Sequence, residues 1–140
     1  MKVNLINISL ILFASTGVWA QEQLSNQKAE RLYRKGMELV QHANFGAARN
    51  VFAEFLETVP TSDLRRGEAE YYIAYSALSL NHGDGEKLIE NFIAENPSNP
   101  RSATAYFDLA NFFYNGQDYS KASAYYKKTD FPALPMQQQH

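Results

Sequence analysis

Two histidines and one aspartate come nearest, by type and spacing, to a metal site in this chain. His42 and His82 fall in corresponding turns of a repeating pattern, and Asp84 follows His82 by two residues. Two imidazoles and a carboxylate are a ligand set that zinc accepts. Polar turn residues are far more often solvated than ligating. The sequence therefore predicts no bound metal and no cofactor.

Catalytic chemistry would need a nucleophile, a base or a phosphate-binding loop in a recognisable pattern. The chain has no cysteine, and it contains no Gly-x-Ser-x-Gly elbow, phosphate loop or dinucleotide fingerprint. Carboxylates such as Glu68 and Glu70 are predicted to lie on a solvated helix face, with Arg65 and Arg66 balancing their charge. The sequence therefore predicts that the protein is not an enzyme.

Helices must position whatever the chain binds, because its apolar residues recur with a period of 3.6 rather than 2. The five prolines lie outside the periodic segments, as helices require. Good N-cap residues precede several of these segments, and Asn99 is followed by a proline suited to the first helical position. Six helices are predicted, beginning near Asn26, Asn44, Ser62 or Asp63, Asp84, Asn99 and Asp118.

The predicted helices form three similar pairs along the sequence. Residues 74 positions apart match as Gly36 and Ala110, Phe45 and Tyr119, Ala48 and Ala122, and Phe52 and Tyr126. A shift of 37 residues, half of that interval, places a middle copy between them, in which Phe52 corresponds to Ile89. The first helix of this copy needs a shift of 38, which matches Gly36 to Ala74, and the one-residue difference lies in an altered turn at 81–85. Small residues let the two helices approach closely, and the aromatic residue fills the space beside them. Three stacked pairs bury a continuous core.

This pattern resembles the tetratricopeptide repeat, most closely over residues 29–60 and 103–126. The small, aromatic, alanine, aromatic and proline positions of that family are present in this order in the first unit. The stretch 55–74, FLETVPTSDLRRGEAEYYIA, is similar to the periplasmic members of the family in Gram-negative envelopes, the group that includes the Tol-Pal coordinators.

The resemblance implies an all-α fold, an α-solenoid of about three repeats and six helices within residues 21–130. The units are expected at residues 26–60, 62–97 and 99–130. Residues 131–140 are predicted to be the start of a further repeat or an unstructured tail, since Gln137 onwards looks like the opening of another helix pair.

The resemblance also implies a partner groove, because the first helices of such pairs line the concave surface. The groove positions in this sequence are Tyr33, Met37, Tyr71, Tyr75, Phe107, Asn111 and Tyr114, with Val40 and Leu78 beside them. Aromatic rings and an amide suit an extended or helical peptide. The alternative is that some of these rings are buried between neighbouring first helices.

The first twenty residues predict export. Lys2 precedes a short apolar run, Gly17 is predicted to break its helix, and small residues suit cleavage before Gln21. The run is shorter than the roughly 20 residues that span a bilayer. The mature chain is therefore predicted to lack a membrane span and to reside in the periplasm, free or associated with the outer membrane.

The charge balance and the repeat architecture together limit the function classes. A formal net charge of −2 gives no basic footprint, so no nucleic-acid partner is predicted. The leading hypothesis is an exported scaffold that binds a peptide or protein partner in the cell envelope. A structural alternative is that the repeats stack on further repeats or on another copy. A lesser alternative is stacking of the tyrosine rings on cell-wall glycans.

Overall fold

The computed structural model describes the backbone of residues 6–134 and the side chains of residues 22–132 and of Leu134. In this part of the chain there are six α-helices, one short 3₁₀ helix and no β-strand. The helices are α1 (Ile6–Gln41), α2 (Phe45–Thr58), α3 (Arg66–Ser79), α4 (Gly85–Glu95), α5 (Pro100–Asn115) and α6 (Tyr119–Tyr126), and the 3₁₀ helix is Phe131–Ala133. The prediction of an all-α fold with six helices is confirmed.

The helices stack in the order of the chain. Each helix packs against the next, and α1 also contacts α3 as α3 contacts α5. Within residues 6–134, the backbone of α4 does not approach that of α2 or α6 in this way, although the side chains of Lys121 and Tyr125 in α6 reach Glu86 of α4. The first helices of the three pairs, α1, α3 and α5, therefore lie closer together than the second helices. They line the inner face of an α-solenoid.

The three pairs share one turn geometry. The residues Ala43, Asn81 and Gln117 follow α1, α3 and α5, and all three have positive φ, of 55°, 54° and 64°. In each turn the next backbone N–H bonds to a carbonyl five residues back, as from Asn44 to Leu39 at 2.8 Å. This is the Schellman ending of a helix. The backbone therefore repeats with the spacing that the side chains predicted.

The predicted close approach between paired helices is present. A β-carbon on Gly36 of α1 would lie 2.6 Å from the Phe52 ring of α2. Ala48 and Phe52 are both fully buried, and so is the corresponding Ile89 of α4. The absence of a side chain at Gly36 thus leaves room for the Phe52 ring, as the repeat pattern predicted.

Gly85 is the small residue of the middle pair, and the sequence analysis missed it. It lies 37 residues after Ala48 and 37 before Ala122, so the register alone could have found it. A β-carbon on Gly85 would lie 2.7 Å from the Leu78 Cα. The α4 helix begins only at Gly85, which is consistent with the altered turn predicted at 81–85.

The N-terminal ends of the helices follow the predicted caps only in part. Asn99 and Asp118 each accept a backbone hydrogen bond as predicted. The prediction that Ser62 or Asp63 begins the third helix was wrong, because the helix begins at Arg66. The Asp63 carboxylate instead accepts hydrogen bonds from the backbone and guanidinium of Arg65, which form a turn before the helix.

The first helix is longer than predicted. It begins at Ile6 rather than near Asn26 and passes through Gly17 without a break. The prediction of a break at Gly17 was therefore wrong. A single glycine costs a helix only about 1 kcal/mol relative to alanine, which is too little to end it. Within residues 6–134, no helix combines the length and the apolar character needed to cross a membrane. Cleavage before Gln21 stays a prediction. Gln137 onwards lies outside the described residues.

Candidate functional site

The inner face carries a cavity between α3 and α5. Its volume is about 310 Å³. The walls are Tyr75, Leu78 and Ser79 of α3 and Asp108, Asn111, Phe112 and Asn115 of α5. Two neighbouring first helices thus bring aromatic rings together with a carboxylate, two amides and a hydroxyl. We name this space the α3–α5 cavity.

Asp108 supplies the carboxylate of the α3–α5 cavity. Its Oδ2 accepts a hydrogen bond of 2.7 Å from the Tyr71 hydroxyl, which ties α3 to α5. Burial raises the pKa of Asp108 from 3.8 to about 6, and the Tyr71 hydrogen bond and the Arg101 charge oppose only part of that shift. At neutral pH the cavity therefore holds a partly desolvated anion that a donor or a cation would stabilise.

Tyr75 and Asn111 are the two predicted groove residues that line the α3–α5 cavity. The Tyr75 ring lies 5.8 Å from the ring of Phe45 and 5.8 Å from that of Tyr71. The Asn111 Oδ1 accepts a hydrogen bond of 2.7 Å from the Tyr126 hydroxyl. The amide N–H groups of Asn111 are therefore what it can offer to a ligand.

Tyr71 does not lie on the surface of the groove. Its side chain is only 4% exposed, and its ring packs against Tyr72 and Phe92. Burial and the neighbouring Asp108 raise the pKa of its hydroxyl. The expectation that its ring faces a partner is wrong, because the core on one side and the carboxylate on the other enclose it.

Tyr33 and Met37 pack within the fold rather than across an open trough. The Tyr33 ring lies 5.4 Å from that of Phe55, and its hydroxyl donates a hydrogen bond of 2.5 Å to Glu68. Met37 is half-buried against the core. Of the neighbouring positions, Leu78 is 3% exposed. For these residues the alternative of burial between helices describes the structure better.

Phe107 and Tyr114 turn away from the α3–α5 cavity. The Phe107 ring contacts those of Tyr126 and Phe131, at 6.0 and 6.3 Å. Tyr114 is 55% exposed and lies 5.5 Å from the ring of Tyr119. The seven predicted residues therefore do not form one continuous trough, because two of them belong to the C-terminal end of the stack.

No known protein family, curated protein sequence or solved structure matches this chain. The tetratricopeptide resemblance thus rests on the residues and motifs given above.

A second concave surface lies at the C-terminal end of the stack. It has a volume of about 510 Å³ and is lined by Tyr114, Tyr119, Ala122, Ser123, Tyr126, Lys127 and Phe131. Tyr119 is 60% exposed and Phe131 45%. We name this surface the end face. The sequence analysis did not include Tyr119, although its match to Phe45 in the repeat was the available signal.

Glu68 links the first helices to one another. Its carboxylate accepts hydrogen bonds from Tyr33 of α1 and from Arg101 of α5, the latter at 3.0 Å. Arg101 also donates to the Tyr72 hydroxyl at 2.7 Å. Burial alone would raise the pKa of Glu68, but the hydrogen bonds that it accepts from Tyr33 and Arg101 outweigh burial and lower its pKa. The prediction that Glu68 lies on a solvated face was wrong.

Arg65 and Arg66 also have defined partners. Arg65 forms ion pairs with Asp63 at 2.7 Å and with Glu30 of α1 at 2.9 Å. Arg66 donates a hydrogen bond of 2.8 Å to the carbonyl of Leu56 in α2. Both arginines therefore connect neighbouring helix pairs. The sequence analysis had predicted only that they balance charge on the surface.

In the candidate metal set of the sequence analysis, an arginine lies against both His82 and Asp84. Arg49 of α2 lies 2.9 Å from the Nδ1 of His82 and 3.2 Å from the Asp84 carboxylate. A guanidinium thus occupies the position between these two side chains. Among the described residues, no group of three histidine, cysteine or acidic side chains is placed to hold a metal ion.

Proposed function

We propose that this chain is an exported tetratricopeptide-repeat scaffold that binds an extended peptide segment of a protein partner in the cell envelope. The binding site is the α3–α5 cavity. The observation that carries the proposal is this cavity of about 310 Å³ on the inner face of the stack, where rings, amides and a carboxylate converge.

The chemistry of the cavity supports a peptide ligand. The N–H groups of Asn111 suit a backbone carbonyl, and the Asp108 carboxylate suits a backbone N–H or a basic side chain. Tyr75 and Phe112 supply apolar surface for a neighbouring side chain. An alternation of polar and apolar contacts is what an extended peptide needs.

The three-pair architecture supports the scaffold class. Three turns with the same backbone conformation and the close contacts of paired helices at Gly36 and Gly85 match the repeat resemblance. Stacked repeats create extended inner surfaces suited to binding other proteins. The glycan alternative is weakened, since Tyr71, one of its platforms, is buried.

Affinity capture from a solubilised envelope fraction tests the proposal. The baits are the full chain and a Ser79→Arg variant, because Ser79 is exposed and lines the α3–α5 cavity. The long arginine side chain would fill the mouth of the cavity without altering the core. A Ser123→Arg variant on the end face is the matched control.

We expect a partner that the wild-type and Ser123→Arg baits retain and the Ser79→Arg bait loses. Equal helicity of the three baits, measured by circular dichroism, would confirm that folding is unaffected. Equal retention by all three baits would contradict binding at the cavity.

Export is tested by the intact mass of the protein recovered from a periplasmic extract. We expect a chain that begins at Gln21. A retained N-terminus in that extract, or recovery only from the cytoplasm, would contradict this part of the proposal.

A further inference from the structure

The formal charge of the α3–α5 cavity is negative and unbalanced. Asp108 lines the cavity, and no lysine, arginine or histidine lines it. The charge of Arg101 acts on Asp108, but its guanidinium bonds instead to Glu68 at 3.0 Å and to the Tyr72 hydroxyl at 2.7 Å. In the part of the chain that the structure describes, no cationic side chain forms an ion pair with Asp108. The carboxylate is therefore left for a ligand to neutralise.

Several oxygen atoms that line the cavity are free to accept hydrogen bonds. The Oδ2 of Asp108 accepts from Tyr71, whereas its Oδ1 accepts from none of the described residues. The side chains of Tyr75, Ser79 and Asn115 likewise form no hydrogen bond with any described residue. Each of them can offer an oxygen atom to a donor. A ligand with several N–H groups could therefore satisfy acceptors on both walls.

The ends of two helices add to the negative potential of the cavity. The α3 helix ends at Ser79 and the α5 helix at Asn115, and both residues line the cavity. The carbonyl groups at the C-terminal end of a helix carry a partial negative charge that favours cations. Neither helix has a basic residue in its last turn. The backbone and the Asp108 carboxylate thus favour a ligand of the same sign.

Two aromatic rings make the cavity suitable for a planar cation. Tyr75 and Phe112 lie on opposite helices and both line it. A guanidinium stacks on aromatic faces and is more weakly hydrated than an ammonium, so it loses less when it leaves water. The cavity volume of about 310 Å³ is at the small end of the range for ligand sites. It therefore suits one side chain better than a bulky ligand.

We propose that the α3–α5 cavity recognises an arginine side chain of the partner peptide. The guanidinium donates hydrogen bonds to the Asp108 Oδ1 and stacks against Tyr75 and Phe112. Its remaining N–H groups reach the oxygen atoms of Ser79 and Asn115. This inference rests on the proposed function, because it names the side chain that the bound peptide places in the cavity.

Capped heptapeptides of the sequence Ser-Ala-Val-X-Val-Ala-Ser are the probes, with arginine, citrulline or lysine at X. Citrulline keeps the length of arginine and most of its N–H groups but has no charge. The valines favour an extended backbone. The full chain, labelled with ¹⁵N, is titrated at pH 7.5, where Asp108 is ionised because its pKa is about 6. The side-chain amide signals of Asn111 and Asn115 report binding, since both residues line the cavity.

We expect saturable shifts of both amide signals, with a Kd about tenfold lower for the arginine peptide than for the citrulline peptide. The lysine peptide should fall between them, because its ammonium is more strongly hydrated and does not stack. Asp108→Asn keeps the size of the side chain and removes its charge. This variant is expected to reduce the preference for arginine over citrulline to about threefold or less.

Asp130→Asn is the matched control, because it makes the same change of net charge at an exposed residue that does not line the cavity. We expect it to keep the full preference for arginine. Equal circular dichroism spectra of both variants and the wild type would confirm that folding is unaffected.

Three outcomes would overturn the proposal. They are no shift of the amide signals with the arginine peptide, equal Kd values for the arginine and citrulline peptides, and a preference that Asp108→Asn leaves unchanged. The affinity capture separates this failure from that of the proposed function. A captured partner that Ser79→Arg loses would leave the peptide site in place and exclude only the arginine. Failure of the capture as well would contradict both proposals.

Discussion

The position that a β-carbon would take on Gly36 lies 2.6 Å from the Cζ of Phe52. This contact sets how closely α1 and α2 pack, and the Phe52 ring is fully buried. We predict that Gly36→Ala lowers the free energy of unfolding by about 1–3 kcal/mol, the usual cost of overpacking. The gain in helix propensity, about 1 kcal/mol, offsets only part of the clash.

The matched control for Gly36→Ala is Gly46→Ala in α2, where an added β-carbon meets nothing within 4 Å. Urea unfolding should show no loss of stability for this variant. Equal urea midpoints for Gly36→Ala and the wild type would contradict the close approach of α1 and α2.

A second prediction concerns the turn between α1 and α2. Ala43 has a φ of 55°, a conformation that costs alanine energy and glycine almost none. Ala43→Gly is therefore expected to raise the free energy of unfolding by about 0.5–1 kcal/mol.

Ala53→Gly serves as the control for this turn, because Ala53 is exposed within α2. The same substitution there should lower stability by about 1 kcal/mol. Urea unfolding of both variants measures the two changes in the free energy of unfolding, which are expected to have opposite signs. A loss of stability at both positions would contradict the left-handed turn.

Asp108 yields a prediction on pH. Its pKa is raised from 3.8 to about 6 in the folded chain, so between these values the folded state holds a proton that the unfolded state has lost. Its contribution to stability therefore falls as the pH rises through this range. Asp108→Asn is expected to be more stable than the wild type by about 2 kcal/mol at pH 7, since two pKa units correspond to at most roughly 3 kcal/mol.

The difference between Asp108→Asn and the wild type should disappear near pH 4. Urea unfolding at pH 4, 5, 6 and 7 measures it, with the exposed Asp130→Asn as control. A difference that does not vary with pH would show that burial of the charge is not its cause.

Glu68 should respond to pH in the opposite direction. Its pKa is lowered by hydrogen bonds from Tyr33 and Arg101 that overcome burial, so its contribution is present above the unfolded pKa and is lost as the pH falls through the folded value. Glu68→Gln is expected to cost about 1 kcal/mol at pH 7, a figure that allows for screening at this partly exposed site.

That cost should fade in urea unfolding at pH 3.5. The exposed Glu57→Gln in α2 should leave stability unchanged at both pH values. A Glu68→Gln variant as stable as the wild type at pH 7 would mean that the link between α1 and α5 contributes nothing.

The sequence determined the number, order and pairing of the helices. Apolar residues with a period of 3.6 fix which face of a helix is buried, and the N-caps Asn99 and Asp118 fix where two helices begin. Small residues spaced by one repeat fix which helices meet closely. These signals are local or strictly periodic, so they can be identified in the sequence.

The partners of charged residues needed the tertiary structure. Glu68 lies between Tyr33 and Arg101, which are 35 and 33 residues away in the chain. Nothing near Glu68 in the sequence distinguishes it from a solvated glutamate, because the groups that bond to it come from two other helices.

The same reason explains the partial failure of the groove prediction. Tyr71 and Tyr75 are four residues apart on one face of α3, and the periodicity treats them alike. The structure buries Tyr71, whose hydroxyl meets Asp108 of α5, and leaves Tyr75 at the α3–α5 cavity. A helix period decides which way a side chain points. The neighbouring helix decides whether that side chain is covered, and its distance and register are set only when the pairs stack.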